Sequence, residues 1–268
     1  MKKIQFLLSL ITIFVSSAIM AQSEVERSLG DFSGVVFSLG IEGELIKGSS
    51  NKVVLTFTGV KEKLVTSEIV DGKLVVGYKG DKKPDGATLK AKVYTSSSVA
   101  SVELSGGSSI KASGISWTKD VLIKVSSSSK AELNPTTSNL DVRVNGKSTL
   151  KMNAKATDAF LSLSSSGKAE VQIEAKSLEA KVAARGRLDI SGTSDDLTVV
   201  SNNSAKYMGY EMKCKNLTAQ AHSSGYAEVY ASESIIVNVV SEGKVFYKGN
   251  PADTKFNGTS SGKIEKAD

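Results

Sequence analysis

The sequence has little of several things that would define a chemistry. Its 268 residues contain one cysteine, one histidine and three prolines, and aromatic residues make up 6% of the chain. A single cysteine cannot form an internal disulfide, which excludes a disulfide-rich scaffold. One histidine leaves little material for a metal centre or a histidine-based catalytic site. The net charge of +6 is too small to imply a nucleic acid partner.

Long apolar runs are also absent, except near the start of the chain. Lys2 and Lys3 precede an apolar stretch over 4–15, and small residues then lead through Ala21 into a polar segment. This order is typical of a secretory signal peptide, so we predict a signal peptide over 1–21. We expect export to the periplasm, the outer-membrane surface or the extracellular space, with no transmembrane segment after cleavage.

What the sequence does contain is a repeat of about 19 residues. Its copies align without gaps over thirteen residues, and when each copy is numbered from its first residue, all nine residues at position 3 and all nine at position 11 are apolar. The copies begin at Ala100, Val121, Leu140, Ala159, Leu178, Leu197, Leu217, Ile235 and Thr254. A coincidence of this kind is improbable in a chain that is 40% apolar.

The apolar positions 3, 5, 11 and 13 alternate with polar ones, which indicates two half-buried strands in each repeat. Position 9 is always Ser, Gly or Ala, as expected where a chain turns sharply or adopts a positive φ. Stacking such units gives each strand a parallel partner above and below. We therefore predict an all-β fold, a parallel β-helix (β-solenoid) of about nine regular coils over 99–268. An antiparallel barrel would leave the column pattern unexplained.

The segment 22–98 lacks this repeat but has strand-like alternation. Asp71 and Gly72 lie between two such runs and predict a tight hairpin turn. The residues over 79–86 have the composition of an exposed loop. We predict that 22–98 forms irregular first coils or a hairpin-bearing β cap, because the open end of a solenoid needs covering.

Charged side chains also follow the repeat. Position 12 holds, in successive copies, Lys111, Glu132, Lys151, Glu170 and Asp189, so stacking predicts ion pairs between coils. Carboxylates in one column, including Glu228, raise the alternative of a glycan-active enzyme, a polysaccharide lyase or hydrolase built on a β-helix. Each of these carboxylates has a Lys or Arg two residues earlier or in the next copy, which favours a solvated charge ladder.

Other candidates for chemistry have simpler interpretations. The stretch 258–262 matches G-x-S-x-G, but no helix pattern follows it and the only histidine precedes it, so we interpret it as a copy of the repeat turn. His222 occupies position 6, where other copies carry Ser or Asn, and is expected to cap that turn. Cys214 has no neighbour that would activate a thiol. We predict no catalytic residue, no cofactor and no metal site.

Aromatic residues are concentrated in the last copies. Tyr210, Tyr226, Tyr230 and Phe246 all have the parity of outward-facing positions, and Tyr210 and Tyr230 share position 14 of adjacent copies. Rings of this kind on a flat sheet can stack on a sugar or anchor a protein. The alternative is a stacked ladder that only stabilises the sheet.

Several segments are similar to one known family. The opening RSLGDFSGVVFSLGIEGELIKG, the strand DGKLVVGY, the repeats SSGKAEV and SSGYAEV, and the closing YKGNPADTKFNGTSSGKIEK resemble the bacterial family of putative auto-transporter adhesins with the head GIN domain. The resemblance covers about 25–268. It implies a β-helix and a surface adhesin. We therefore expect a non-catalytic, secreted cell-envelope module that presents a solenoid face to a glycan or a cell-envelope protein.

Overall fold

The computed structural model describes residues 22–80, 82–259 and 261–268, so the predicted signal peptide over 1–21 lies outside the described residues. Apart from one 3-10 turn at Glu62–Leu64, the regular elements within these ranges are β-strands. The strands before residue 96 are β1 (Ser23–Ser28), β2 (Gly34–Phe37), β3 (Glu42–Lys47), β4 (Lys52–Thr58), β5 (Val65–Val70), β6 (Lys73–Tyr78) and β7 (Thr88–Thr95).

The remaining strands follow the repeat, and four of them are long because they continue from one coil into the next. They are β8 (Val99–Leu104), β9 (Ser109–Ser113), β10 (Trp117–Val125), β11 (Lys130–Leu133), β12 (Asn139–Val144), β13 (Thr149–Leu163), β14 (Lys168–Val182), β15 (Arg187–Asn202), β16 (Lys206–His222), β17 (Tyr226–Tyr230), β18 (Ser234–Val239), β19 (Lys244–Lys248), β20 (Asp253–Gly258) and β21 (Lys263–Lys266). None of the described residues forms a helix long and apolar enough to cross a membrane.

The coils stack in parallel, in the register that the repeat predicts. Position 1 of each copy lies opposite position 1 of the next, from Val121 against Leu140 through to Ile235 against Thr254. Position 11 does the same, from Ala131 against Ile110 through to Val245 against Ile264. The predicted parallel β-solenoid of about nine coils is therefore confirmed.

The core is the inside of this stack, and the apolar columns fill it. Val142, Leu161 and Ala180, one above the other at position 3, are all 0% exposed. The polar positions between them point outward, as the period of two in a strand requires. Removing such apolar side chains from water is the main stabilising contribution to the stack.

Each coil turns between its two strands at positions 6 to 9. In the fourth coil the amide of Gly167 donates to the carbonyl of Ser164 at 2.8 Å, and Ser165 and Ser166 between them have φ of 51° and 64°. Two consecutive left-handed residues define a type I′ turn. The positive φ values therefore lie at positions 7 and 8, so the interpretation of position 9 by positive φ was wrong.

Position 9 is small for a different reason, which is a close approach between coils. A Cβ atom added to Gly225 would lie 2.0 Å from the carbonyl oxygen of Ser201, and one added to Gly243 would lie 2.2 Å from that of Ala221. Where position 9 holds serine, as at Ser129 and Ser148, the residue is 0% exposed. The turn thus packs directly on the coil before it.

The N-terminal part interleaves its layers. Strand β2 pairs in parallel with both β6 and β8, and β3 pairs in parallel with both β7 and β9. Strands β4 and β5 add antiparallel to β7 and β6, and β1 adds antiparallel to β4. Asp71 and Gly72, with φ of 49° and 71°, join β5 to β6 and confirm the predicted hairpin turn. Two parallel layers and an antiparallel cap therefore precede the first regular coil.

An ion-pair network joins these layers to the regular coils. Lys73 on β6 passes Gly34 on β2 to reach Glu103 on β8, and Lys124 on β10 binds the same carboxylate at 3.3 Å. A Cβ at Gly34 would lie 2.2 Å from the Ser101 Oγ and 3.0 Å from the Lys73 Cγ, so only glycine leaves room for both side chains. Burial raises the pKa of Glu103, but the hydrogen bonds and charges of the two lysines outweigh it and lower the pKa below its ordinary value.

Candidate functional site

The four predicted aromatic residues lie on the outer face of the last regular coils. Tyr210 is on β16, Tyr226 and Tyr230 are on β17, and Phe246 is on β19, and all four are half-buried. We call this set the aromatic patch. The rings of Tyr226 and Phe246 are in contact, with centroids 5.4 Å apart and planes tilted by 38°.

A β-bulge in β16 shapes this patch. Met208 lies opposite Asp189, but the next pair along is Glu211 opposite Ser191, so β16 holds one extra residue here. The predicted column at position 14 is therefore interrupted at Tyr210, because Glu211 takes its place opposite the preceding coil. Such bulges re-aim side chains and are common beside functional sites.

Glycine at 209 leaves room for a buried ring beside the bulge. A Cβ at Gly209 would lie 2.3 Å from the ring of Tyr207, which points into the core and is 0% exposed. Burial raises the pKa of the Tyr207 hydroxyl, so this group remains protonated inside the stack. The chain thus places one tyrosine inward and the next one outward within four residues.

Lysine ammonium groups lie over three of the four rings. Lys248 is 5.1 Å from the ring centroid of Tyr210 and Lys213 is 4.3 Å from that of Tyr230. Lys263 is 5.1 Å from the centroid of Phe246. These cation–π contacts hold the rings in fixed orientations and give the patch a basic margin.

Tyr226 is fixed in another way. Its hydroxyl donates a hydrogen bond of 2.6 Å to Oε1 of Glu228, two residues along on the same face. Burial raises the pKa of Tyr226, and the hydrogen bond to Glu228 and the charge of that carboxylate raise it further. The ring therefore stays neutral and keeps one orientation at physiological pH.

The patch residues border two separate depressions. Tyr226 lines a pocket of about 430 Å³ beside the turns, together with Lys206, Ser224 and Lys244. Tyr230 lines a shallower pocket of about 320 Å³ at the opposite end of the strands, together with Lys213 and Cys214. The structure brings Tyr226 and Phe246 into contact, whereas Tyr230 borders a different pocket.

A groove on the other strand face was not predicted from the sequence. It has a volume of about 560 Å³, and Leu122 and Phe160 stand on one side of it. Its other side is a polar column one residue before each repeat, where Asn139 donates to Asp120 and Asn216 donates to Asp196 at 2.9 Å. The sequence signal for this groove is an Asp, Asn or Ser immediately before each copy from the second onward, a position outside the thirteen aligned residues. This column runs Asp120, Asn139, Asp158, Ser177, Asp196, Asn216 and Ser234.

The carboxylates of position 12 line a third, polar groove. The predicted pairing between coils is confirmed for Lys111 and Glu132, whose charged atoms are 2.9 Å apart, whereas Asp189 pairs with Arg187 in its own strand. The hydrogen bond and charge of Lys111 lower the pKa of Glu132. A general acid for glycoside cleavage needs a raised pKa, so Glu132 is unsuited to that role.

The isolated candidates keep structural roles. The carbonyl of His222, rather than its imidazole, accepts the turn hydrogen bond, from Gly225 at 2.8 Å. Cys214 is buried, its thiol donates to the carbonyl of Tyr230 at 2.9 Å, and burial raises its pKa to about 12. Such a thiol is a poor nucleophile.

Two further candidates are settled by their surroundings. The stretch 258–262 turns through a hydrogen bond from Gly262 to Thr259 and leads into β21, with Ser260 itself outside the described residues. A nucleophile elbow would lead into a helix instead. Across the described ranges, no three His, Cys, Asp or Glu side chains are grouped to hold a metal ion.

Stacked parallel coils with an outward aromatic patch define the class of protein, which is a β-solenoid with elaborated strand faces. The chain belongs to the family described as putative auto-transporter adhesin, head GIN domain, which matches residues 31–171 and 149–251. No curated protein matches the sequence.

Solved structures share the fold at low sequence identity. A putative adhesin from Parabacteroides distasonis is 19% identical with a TM-score of 0.71, and the match covers 92% of this chain and 97% of that one. A putative adhesin from Parabacteroides merdae is 19% identical with a TM-score of 0.69, covering 92% and 96%. A putative lipid binding protein from Parabacteroides distasonis is 18% identical with a TM-score of 0.68, covering 92% and 97%.

Proposed function

We propose that this protein is an exported, non-catalytic adhesin-like module that binds a glycan of the cell envelope or its surroundings through the aromatic patch. The family supports an adhesin-like role. The leader over 1–21 supports export. Cell fractionation of the full chain tests the second point, since a variant without 1–21 should stay in the cytoplasm.

The observation that carries the proposal is the fixed geometry of the patch. Its rings are half exposed, and lysines or a carboxylate hold them in place, so little side-chain freedom is lost when a ligand binds. Aromatic faces with polar margins suit sugars, which have apolar C–H faces and hydroxyl edges. The solenoid contributes a rigid support, because each strand is held by neighbours on both sides.

A glycan array with residues 22–268 tests the proposal. We expect saturable binding that falls about tenfold or more when Tyr226→Ala and Tyr230→Ala are combined, because each ring contributes on the order of 1 kcal/mol or more. Tyr94→Ala is the matched control, since Tyr94 is also half-buried with a lysine, Lys52, 5.2 Å from its ring centroid, but lies on β7. Unchanged binding by the double variant would contradict glycan binding through the aromatic patch, and release of oligosaccharide would favour the alternative of a glycan-active enzyme.

A further inference from the structure

A column of cations runs along the outer face at position 10. Pairing places its members one above another, with Tyr226 between Lys206 and Lys244. The cations of this column are Lys130, Lys168, Arg187, Lys206, Lys244 and Lys263. Like charges at strand spacing repel one another, so each needs compensation from nearby carboxylates or from a ligand.

In four of the six coils a carboxylate of the same strand shares the outer face with the cation. Two residues after the cation, on the same face, the chain carries Glu132, Glu170, Asp189 or Glu265. Arg187 and Asp189 show the arrangement clearly, with their charged atoms 2.5 Å apart. Lys263 pairs with Glu265 in the same way, whereas Glu132 pairs with Lys111 of the preceding coil. Each of these four coils therefore carries a carboxylate on the same face as its cation.

Two coils break this rule, and they are the two on either side of Tyr226. After Lys206 the outward position holds Met208, and after Lys244 it holds Phe246. Both lysines are exposed, and unlike Lys130 and Lys168 they have no carboxylate two residues later on the same face. The repeat itself therefore identifies Lys206 and Lys244 as the exceptions.

These two lysines line the turn-side pocket together with Tyr226. They stand two coils apart, about 10 Å along the stack, with the ring of Tyr226 between them. Glu242 also lines the pocket and accepts a hydrogen bond from the Ser224 hydroxyl at 3.1 Å, and Glu228 accepts one from Tyr226. Among the described residues neither carboxylate lies within 4 Å of the Lys206 or Lys244 ammonium, so both amines are open to a ligand.

We infer that the ligand of this pocket is an acidic polysaccharide that carries carboxylate groups on its sugar rings. The inference rests on the proposed function and specifies its ligand class. The apolar face of one sugar packs on Tyr226, and its carboxylate, or that of the next sugar, binds the ammonium of Lys206 or Lys244. A neutral polysaccharide keeps the stacking contact and lacks the charged one.

The test compares carboxylated polymers with their neutral methyl esters. Polygalacturonate, alginate and hyaluronate are titrated into residues 22–268 alongside the esterified forms. We expect the acidic polymer that binds to bind at least tenfold more tightly than its ester, and added salt to weaken it. Lys206→Gln combined with Lys244→Gln should weaken binding about tenfold, because two charge-assisted contacts are lost.

The chain offers a matched control in the same column. Lys130→Gln combined with Lys168→Gln removes the same charge from coils that carry their own carboxylates, and binding should change less than twofold.

Equal affinity for an acidic polymer and its ester, or equal losses in the two double variants, would overturn the inference. If no carboxylated polymer binds while the array yields a neutral ligand that depends on Tyr226, the ligand class is wrong and the proposed function stands. If no glycan binding depends on Tyr226, the proposed function fails as well.

Discussion

The two ends of the described chain build the same kind of layer in different ways. From β8 onward each coil follows the one before it in sequence, whereas β6 and β7 lie outside β2 and β3 although they come later in the chain. The regular coils repeat one pattern of apolar columns. The N-terminal layers instead need antiparallel strands and a hairpin to finish them.

The difference shows what a repeat contributes. In the regular part, an identical column position is enough to set the register, so every coil has neighbours of matching shape. In the N-terminal part, register depends on individual contacts such as the path of Lys73 past Gly34 to Glu103. We therefore expect the two regions to respond differently to single substitutions.

The largest difference should come from the core. Leu161 is 0% exposed in the middle of the stack, whereas Ile69 on β5 is 38% exposed. We expect Leu161→Ala to lower the free energy of unfolding by about 3 kcal/mol, and Ile69→Ala by less than about 1 kcal/mol. Denaturant unfolding monitored by circular dichroism measures both. Equal losses would show that the hairpin packs as tightly as the regular coils.

A smaller effect should come from the junction of the two regions. Glu103→Gln removes the carboxylate that Lys73 and Lys124 share, and we expect a loss of about 1 kcal/mol at neutral pH. Because the folded-state pKa of Glu103 is lowered, its contribution is present above its ordinary pKa near 4.5 and disappears as the pH falls through the folded-state pKa.

Stability measured between pH 7 and pH 2 checks this junction. The difference between the native chain and the Glu103→Gln variant should shrink towards the acid end. Glu42→Gln is the control, since Glu42 pairs with Lys90 but both side chains are more than half exposed, and this change should have almost no effect at any pH. A constant difference across the pH range would mean that the carboxylate charge contributes nothing.

The smallest expected effect is a gain in stability rather than a loss, and it concerns a residue in one of the turns. Ala184 has a φ of 47°, which strains a residue with a Cβ. We expect Ala184→Gly to stabilise the protein by about 0.5 kcal/mol, since relief of strain exceeds the added freedom of the unfolded chain. Asp71→Gly in the cap should be nearly neutral, because Asp tolerates this conformation. Thermal unfolding of the two variants compares them, and destabilisation by Ala184→Gly would show that the turn is unstrained.

Much of the fold is predictable from the sequence because side-chain columns carry the register. The nine apolar residues at position 3 and at position 11 are enough to pair every regular strand correctly. The interleaving of β2 between β6 and β8 is not predictable in this way, since no column links those strands. The small residues at position 9 predict a sharp turn or a positive φ; the sharp turn is confirmed, whereas the small size reflects the nearby carbonyl of the preceding coil.

The candidate site is predictable only in part. Parity alone places Tyr226 and Phe246 on the outside and in adjacent coils, where their rings meet. A one-residue bulge at Gly209 is invisible to an alignment without gaps, so the position of Tyr210 is missed. Lys206 and Lys244, the two lysines without a carboxylate two residues later, can be found in the sequence. They stand out only once position 10 is known to form a column on the outer face.

The interleaved start also gives the stack a direction of assembly. Strands β1 to β7 pair with one another, and β2 and β3 each present a free edge on the side where β8 and β9 dock. Each later coil pairs with a coil that precedes it in the chain, so the template for every regular strand lies on its N-terminal side.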